Sequence, residues 1–220
     1  MAAGDTAIEL LDESQLSGDN GEIHLFQWLS STERQAKRAS ADQLKACQAD
    51  LEELLVKVVT APEPYPSPGR PIRRLVASCL KALYMRGETK SLFDTIQAFL
   101  KILSETKPPA KESSRIAAMY CIGELMGSFG SQVMSQMAEV SAITIKVYRS
   151  SSPVILRAYA LYALAKALDK AKRAVTDSVA KDIIKHSKNA LGDKALPVQR
   201  AACEVCTFSL TPMFRHPQLQ

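Results

Sequence analysis

Ser114-Arg-Ile-Ala-Ala-Met-Tyr-Cys-Ile-Gly123 and Leu156-Arg-Ala-Tyr-Ala-Leu-Tyr-Ala-Leu-Ala165 stand 42 residues apart and align position for position. The same interval reaches back to Arg73 and forward to Gln199, giving one column of Arg73, Arg115, Arg157 and Gln199. The column before it reads Ile72, Ser114, Leu156 and Val198. Three positions after it stand Val76, Ala118, Ala160 and Ala202; six after, Cys79, Cys121, Ala163 and Val205; seven after, Leu80, Ile122, Leu164 and Cys206. Apolar or small residues thus recur on one helical face at a fixed interval, which is the mark of a repeated helical unit. Small side chains at the third and sixth positions let that helix lie close to its neighbours, and larger ones at the seventh fill the space between layers. Pro71, Pro153 and Pro197 fall just before the anchor column and set where each helix begins. The competing arrangement is a non-repetitive helical bundle whose helices happen to be evenly spaced.

Working outward, helical periodicity covers almost the whole chain and sustained two-residue alternation is missing, so the expected fold class is all-α. Helices are expected at about 22–38, 41–60, 71–87, 91–106, 111–127, 131–149, 153–169, 174–190 and 196–210. The first carries Ile23, Phe26 and Leu29 on one face, with Leu25 and Trp28 beside it. The second follows the helical rule through Leu44, Cys47, Leu51, Leu54, Leu55 and Val58. Five prolines between Pro62 and Pro71 forbid helix there, which predicts a stiff, extended connection over 61–71 that could also be read by a proline-binding domain. Gly87 suits a helix C-terminus, and Gly123, Gly127 and Gly130 are read as a helix end. Three regions result: a flexible acidic segment over 1–21, a helical repeat domain over 22–210, and an irregular tail over 211–220.

Composition narrows the class. The 220 residues are 46% hydrophobic, 23% charged and only 6% aromatic, an ordinary soluble balance tilted toward helix formers. No stretch approaches the ~20 apolar residues of a membrane span. The acidic start lacks the basic opening of a signal peptide. Residues 1–22 hold six acids and no Lys or Arg, which leaves a surplus of eleven basic residues in the remainder. Such a body attracts acidic protein segments, anionic lipid or nucleic acid. Lys166, Lys170, Lys172, Arg173, Lys181, Lys185 and Lys188 could form a basic ridge, though acids interrupt the run and aromatic side chains for base stacking are not evident near it.

Residues for chemistry are few. His24, His186 and His216 have no Cys or acid at ligand spacing, so no metal site is expected. Cys203-Glu-Val-Cys206 is a lone pair of cysteines on an expected helix and is read as core. The five cysteines read as reduced, buried thiols of a cytosolic protein. With no nucleophile motif, paired carboxylates or phosphate loop, no enzyme activity, cofactor or small-molecule substrate is expected.

The anchor segments resemble the inner helix of a HEAT repeat, Val-Arg-x-Ala-Ala-x-x-Ala-Leu-Gly, most closely at Ser114–Gly123; Gln199 departs at the arginine position, where an arginine ladder is expected to end. Further toward the N-terminus, Phe26-Gln-Trp-Leu29, Leu51-Glu-Glu-Leu-Leu55, Pro71-Ile-Arg-Arg-Leu75, Cys79-Leu-Lys-Ala-Leu-Tyr84 and Gly87-Glu-Thr-Lys-Ser-Leu-Phe-Asp-Thr95 follow one another. That order resembles the start of the large HEAT-repeat trafficking scaffolds, the family of HEAT-repeat-containing protein five and the fungal large accessory protein of the AP-1 clathrin adaptor. Members are far longer, so the chain is expected to be an N-terminal portion or a shortened form. The resemblance implies a HEAT-like α-solenoid of stacked helical hairpins, armadillo-like in its helical repetition. It also implies a non-catalytic protein-binding scaffold in AP-1-linked vesicle traffic, covering endosome-to-Golgi retrograde transport, endocytosis and protein localisation. Its expected place is the cytosol, with peripheral association to the trans-Golgi network, endosomes and endocytic vesicles. Expected partners are AP-1 and its accessory proteins, with self-association also possible. Arg70, Arg73 and Arg74, beside the Pro-rich connection, are the candidate partner-binding residues, and Ala118, Ala160, Ala202, Leu80, Ile122 and Leu164 the expected repeat core. The alternatives are a basic nucleic-acid-binding helical repeat and a karyopherin-like or regulatory HEAT module.

Overall fold

The computed structural model describes residues 8–105 and 110–210. Among them every regular element is helical: α1 (Gly21–Arg38), α2 (Ala41–Thr60), α3 (Arg70–Arg86), α4 (Leu92–Ser104), α5 (Glu112–Phe129), α6 (Met137–Ser150), α7 (Val154–Ala171), α8 (Asp177–Leu191) and α9 (Leu196–Leu210), with 3-10 turns at Glu13–Ser17, Met134–Gln136 and Lys172–Ala174. Among the described residues no helix is long and apolar enough to cross a membrane. Local chemistry explains the boundaries. Ser40 and Gln43 form a reciprocal capping box before α2, Thr176 caps α8, and Pro71 sits in the first turn of α3, where its missing N–H costs nothing. The four helices that carry the sequence register, α3, α5, α7 and α9, begin at residues 70, 112, 154 and 196, 42 apart each time. Their partners α2, α4, α6 and α8 differ in length at 20, 13, 14 and 15 residues, so the interval is kept by the helices with the small-residue columns.

Of the described residues, 8–98 and 110–117 form one compact unit, and 99–105 and 118–210 another. In the first, α1 and α2 both pack on α3. Leu25 and Leu29 of α1, Leu44, Leu51 and Leu55 of α2, and Ile72, Val76, Leu80 and Leu83 of α3 are buried. The buried stripe of α1 is Leu25, Trp28, Leu29, Thr32 and Ala36, whereas Ile23 and Phe26 are exposed. That corrects the expected Ile23–Phe26–Leu29 face: α1 offers apolar residues on two sides, and the side that continues into Thr32 and Ala36 is the one that meets α3. Cys79 lies at the α1–α3 contact with its thiol toward the Leu29 carbonyl, 3.4 Å away, and burial pushes it up to about 12, which keeps it a neutral, unreactive thiol. A polar cluster closes the α3–α4 turn. Gln48 donates to Glu52 at 2.7 Å and to the Glu88 carbonyl at 2.6 Å, and accepts from the Glu88 N–H at 2.9 Å. Gly87 is there because a Cβ would strike the Gln48 amide, not because its backbone is left-handed.

Two parts of this unit differ from expectation. Residues 1–7 of the acidic segment lie outside the described residues, but from residue 8 the segment is packed rather than free. Ile8, Leu11 and Leu16 are buried, the Trp28 indole donates to the Glu9 carbonyl at 3.0 Å, and Lys57 bridges Glu13 and Glu53 at 3.3 and 3.1 Å. The apolar spacing of Ile8, Leu11 and Leu16 outweighs the charge count. The Pro-rich connection is folded onto the unit as well. Tyr65 is buried, its N–H meets the Pro62 carbonyl at 2.6 Å, and Lys111 and Ser114 donate to the Ala61 and Thr60 carbonyls at 3.1 and 3.2 Å. It is packed against the unit rather than a free, extended spacer.

In the second unit α6 pairs with α7 and α8 with α9, and the two hairpins lie like against like, α6 on α8 and α7 on α9. Ala118, Ala160, Ala202, Ile122 and Leu164 are all buried, as Leu80 is in the first unit. Gly123 and Gly127 lie inside α5, not at its end. A Cβ on Gly123 would stand 3.1 Å from Ala163 Cα, and one on Gly127 2.9 Å from the Lys166 side chain, so the two glycines let α7 approach α5 closely. The cysteine pair also departs from expectation: Cys203 is exposed and Cys206 half-buried, because α9 turns that side outward; none of the five cysteines is in a disulfide. The expected tail over 211–220, His216 and the Lys107-Pro-Pro109 break lie outside the described residues. Replacing Ala160 with Phe overpacks the α7 contacts and is expected to cost about 1–3 kcal/mol. Thermal unfolding followed by circular dichroism checks this, with a fall of several degrees expected.

Candidate functional site

Three arginines grouped in the sequence separate in the structure. Arg70 and Arg74, one helical turn apart, are exposed at the start of α3, while Arg73 faces inward and is only 9% exposed. Arg73 therefore drops out as a partner-binding residue. What an anchor arginine does is clearest at Arg157. Its guanidinium donates to both carboxylate oxygens of Asp193 at 3.0 and 3.2 Å and to the Ser152 carbonyl at 3.0 Å. With side chains 21% and 15% exposed, Arg157 and Asp193 tie α7 to the α8–α9 turn through a half-sheltered ion pair in which one guanidinium nitrogen, Nη2, reaches both carboxylate oxygens. The Asp193 carboxylate also accepts the Ala195 N–H at 2.9 Å. Gln199, which breaks the arginine column, still reaches this turn and donates to the Asp193 carbonyl at 2.7 Å.

A second cluster was missed in the sequence. Tyr120 of α5 and Tyr162 of α7 share one column of the 42-residue register, and their rings stack at 6.5 Å with planes 3° apart. Tyr159 packs edge-on to both, at 5.5 and 6.4 Å. The Tyr162 hydroxyl donates to Glu124 at 2.7 Å; burial first, then Glu124, hold its phenol well above the ordinary tyrosine range. Lys166 lies 5.2 Å over the Tyr162 ring. Next to it Lys166, Asp169, Glu204 and Thr207 line a hollow of 320 Å³ between α7 and α9. All three tyrosines remain partly open to solvent. The signal was present: the interval that aligned the alanines also aligns Tyr120 with Tyr162 and then Glu204. Half-buried aromatic rings with one polar edge, set among charges of both signs, are the composition of protein-recognition surfaces.

The expected basic ridge is divided. Lys166 belongs to the tyrosine cluster and Lys170 pairs with Asp169 at 2.9 Å, whereas Lys181, Lys185 and Lys188 are exposed along α8. Among the described residues no group of three His, Cys, Asp or Glu side chains is close enough to hold a metal ion. Removing Arg157 tests the anchor role. Arg157→Ala strands a sheltered carboxylate and is expected to cost about 2 kcal/mol. Arg70→Glu with Arg74→Glu changes only exposed positions and is expected to stay within about 0.5 kcal/mol. Paired denaturant titrations compare the two.

No known protein family matches the chain. Among solved structures it is similar to the crystal structure of an engineered protein, at 15% identity over 92% of this chain and 98% of that one, with a TM-score of 0.43. That likeness is too distant to bear on architecture or role.

Proposed function

We propose that the chain is a non-catalytic protein-interaction scaffold whose 42-residue units stack as a HEAT-like α-solenoid. The observation that carries this reading is the tyrosine cluster: one register interval both buries Ala118 and Ala160 between helices and stacks Tyr120 on Tyr162 at a partly open surface. Repetition that packs a core on one side and repeats recognition groups on the other is how helical arrays bind extended partners. The like-on-like stacking of α6/α7 on α8/α9 supports the array.

The partner follows from the sequence resemblance to the large trafficking scaffolds, which points to the AP-1 clathrin adaptor and its accessory proteins in endosome-to-Golgi transport. The place of action in this reading is the cytosolic side of the trans-Golgi network, endosomes and endocytic vesicles. The exposed pair Arg70 and Arg74 forms a second candidate contact. A nucleic-acid reading has one observation in its favour, the exposed row Lys181, Lys185 and Lys188 on α8.

Binding of purified AP-1 to the immobilised chain tests the proposal. The wild type is expected to retain it, and Tyr159→Ala with Lys166→Glu is expected to weaken retention at least tenfold, the scale of one central interface contact. No retention by the wild type would contradict the AP-1 reading. Retention of RNA instead, falling steeply with salt, would favour the nucleic-acid reading, because phosphate contacts release counterions.

A further inference from the structure

A cleft of 710 Å³ opens at the end of the second unit where the α6–α7 and α8–α9 turns meet, lined among others by Arg149, Arg157, Lys185, His186, Asp193 and Lys194. Its charge is unbalanced. The Asp193 carboxylate is already held by Arg157 and the Ala195 N–H, while Arg149, Lys185 and Lys194 enter no ion pair among the described residues. They come from three different segments: the last turn of α6, the body of α8 and the α8–α9 turn. Cations beside helix C-termini can serve simply to offset the helix dipoles, and α6 and α8 both end here. Each such end carries only about half a negative charge. Three full cations exceed two half charges, and Asp182 beside His186 offsets part of the remainder, leaving a net positive cleft that suits the doubly charged phosphate monoester.

The same two turns carry a second feature. Val154, Ile155, Leu191 and Leu196 are large apolar side chains that stay 38–54% exposed, and each lies within a few residues of a cleft-lining position. Val154 and Leu196 occupy one column of the register. Cations around a cleft with exposed apolar side chains at the same two turns suit a membrane interface, where those side chains enter the headgroup–acyl boundary. A free phosphate would use only the cleft.

We propose that this end of the second unit binds the terminal phosphate of a lipid headgroup, with Arg149, Lys185 and Lys194 on the phosphate and Ile155, Leu191 and Leu196 against the membrane interior. The site does not depend on the scaffold reading. His186 supplies a local reporter: it is held below the ordinary histidine range by burial, then by Arg149 and Lys185, with Asp182 opposing. A bound phosphate favours its charged form and raises its pKa.

The test is flotation of the purified chain with phosphatidylcholine vesicles that carry either phosphatidylserine or a phosphatidylinositol monophosphate at equal surface charge. The chain is expected to float with the phosphoinositide vesicles and to bind phosphatidylserine several-fold less. Lys185→Gln with Lys194→Gln is expected to weaken vesicle binding roughly 25-fold, about fivefold for each surface cation. Ile155→Ser with Leu196→Ser is expected to release the vesicles while the soluble headgroup, glycerophosphoinositol monophosphate, still raises the pKa of His186 in nuclear magnetic resonance titrations. All four positions are exposed, and unchanged melting verifies that the variants fold. Equal flotation with the two anionic lipids, no flotation, or binding of the soluble headgroup alone would each overturn the proposal.

Discussion

The close approach of α7 to α5 is the constraint on which the second unit depends. A methyl group on Gly123 would stand 3.1 Å from the Ala163 Cα and one on Gly127 2.9 Å from the flexible Lys166 side chain, so at Gly123 the two helices approach closely. Such contact gathers many weak dispersion contacts and leaves little void. It also fixes what stands around it. Tyr120 and Tyr162 lie parallel and offset because their helices are that near and share a register, and Lys166 is laid over the Tyr162 ring as a consequence. Packing and candidate recognition surface are thus two results of one spacing.

Asp193 plays the complementary role at the hairpin ends. Its carboxylate takes Arg157 and the Ala195 N–H while its carbonyl takes Gln199, so one short turn joins α7 and α9. This use of the acid also leaves Asp193 unable to neutralise Arg149, Lys185 and Lys194 beside it. A structural ion pair here creates the charge surplus that the lipid proposal uses.

Most of the fold could be read from the residues. Alanines at equal intervals located the helices that form the layers, and prolines and capping residues marked their starts. The side of α1 that is buried was not legible, because Ile23 and Phe26 are as apolar as Leu25 and Trp28 and only the position of α3 decides between them. Acid content hid the packed stripe of Ile8, Leu11 and Leu16, since net charge says nothing about where a few leucines point. Arg73 could not be told from Arg70 and Arg74 by type; its place one residue before Arg74 turns it inward. The tyrosine cluster shares the register of the repeat, but the interval alone does not tell that Tyr159, from outside that column, packs edge-on to Tyr120 and Tyr162. The cleft is out of sequence range altogether, since Arg149, Lys185 and Lys194 line one hollow only after two hairpins stack.

A double-mutant cycle between Gly123 and Ala163 tests the central claim most directly. In a helix with free space, Gly123→Ala stabilises by up to about 1 kcal/mol through helix propensity alone. Here the added methyl group meets Ala163, so Gly123→Ala is expected to destabilise despite that propensity. Ala163→Gly in the same chain removes the Cβ contact at 3.3 Å but leaves the Cα at 3.1 Å, so it is expected to relieve part of the clash, with a coupling of about 0.5 kcal/mol or more between the two changes. Stabilisation by Gly123→Ala, with no coupling to Ala163, would show that α5 and α7 are not held at this distance and would contradict the account.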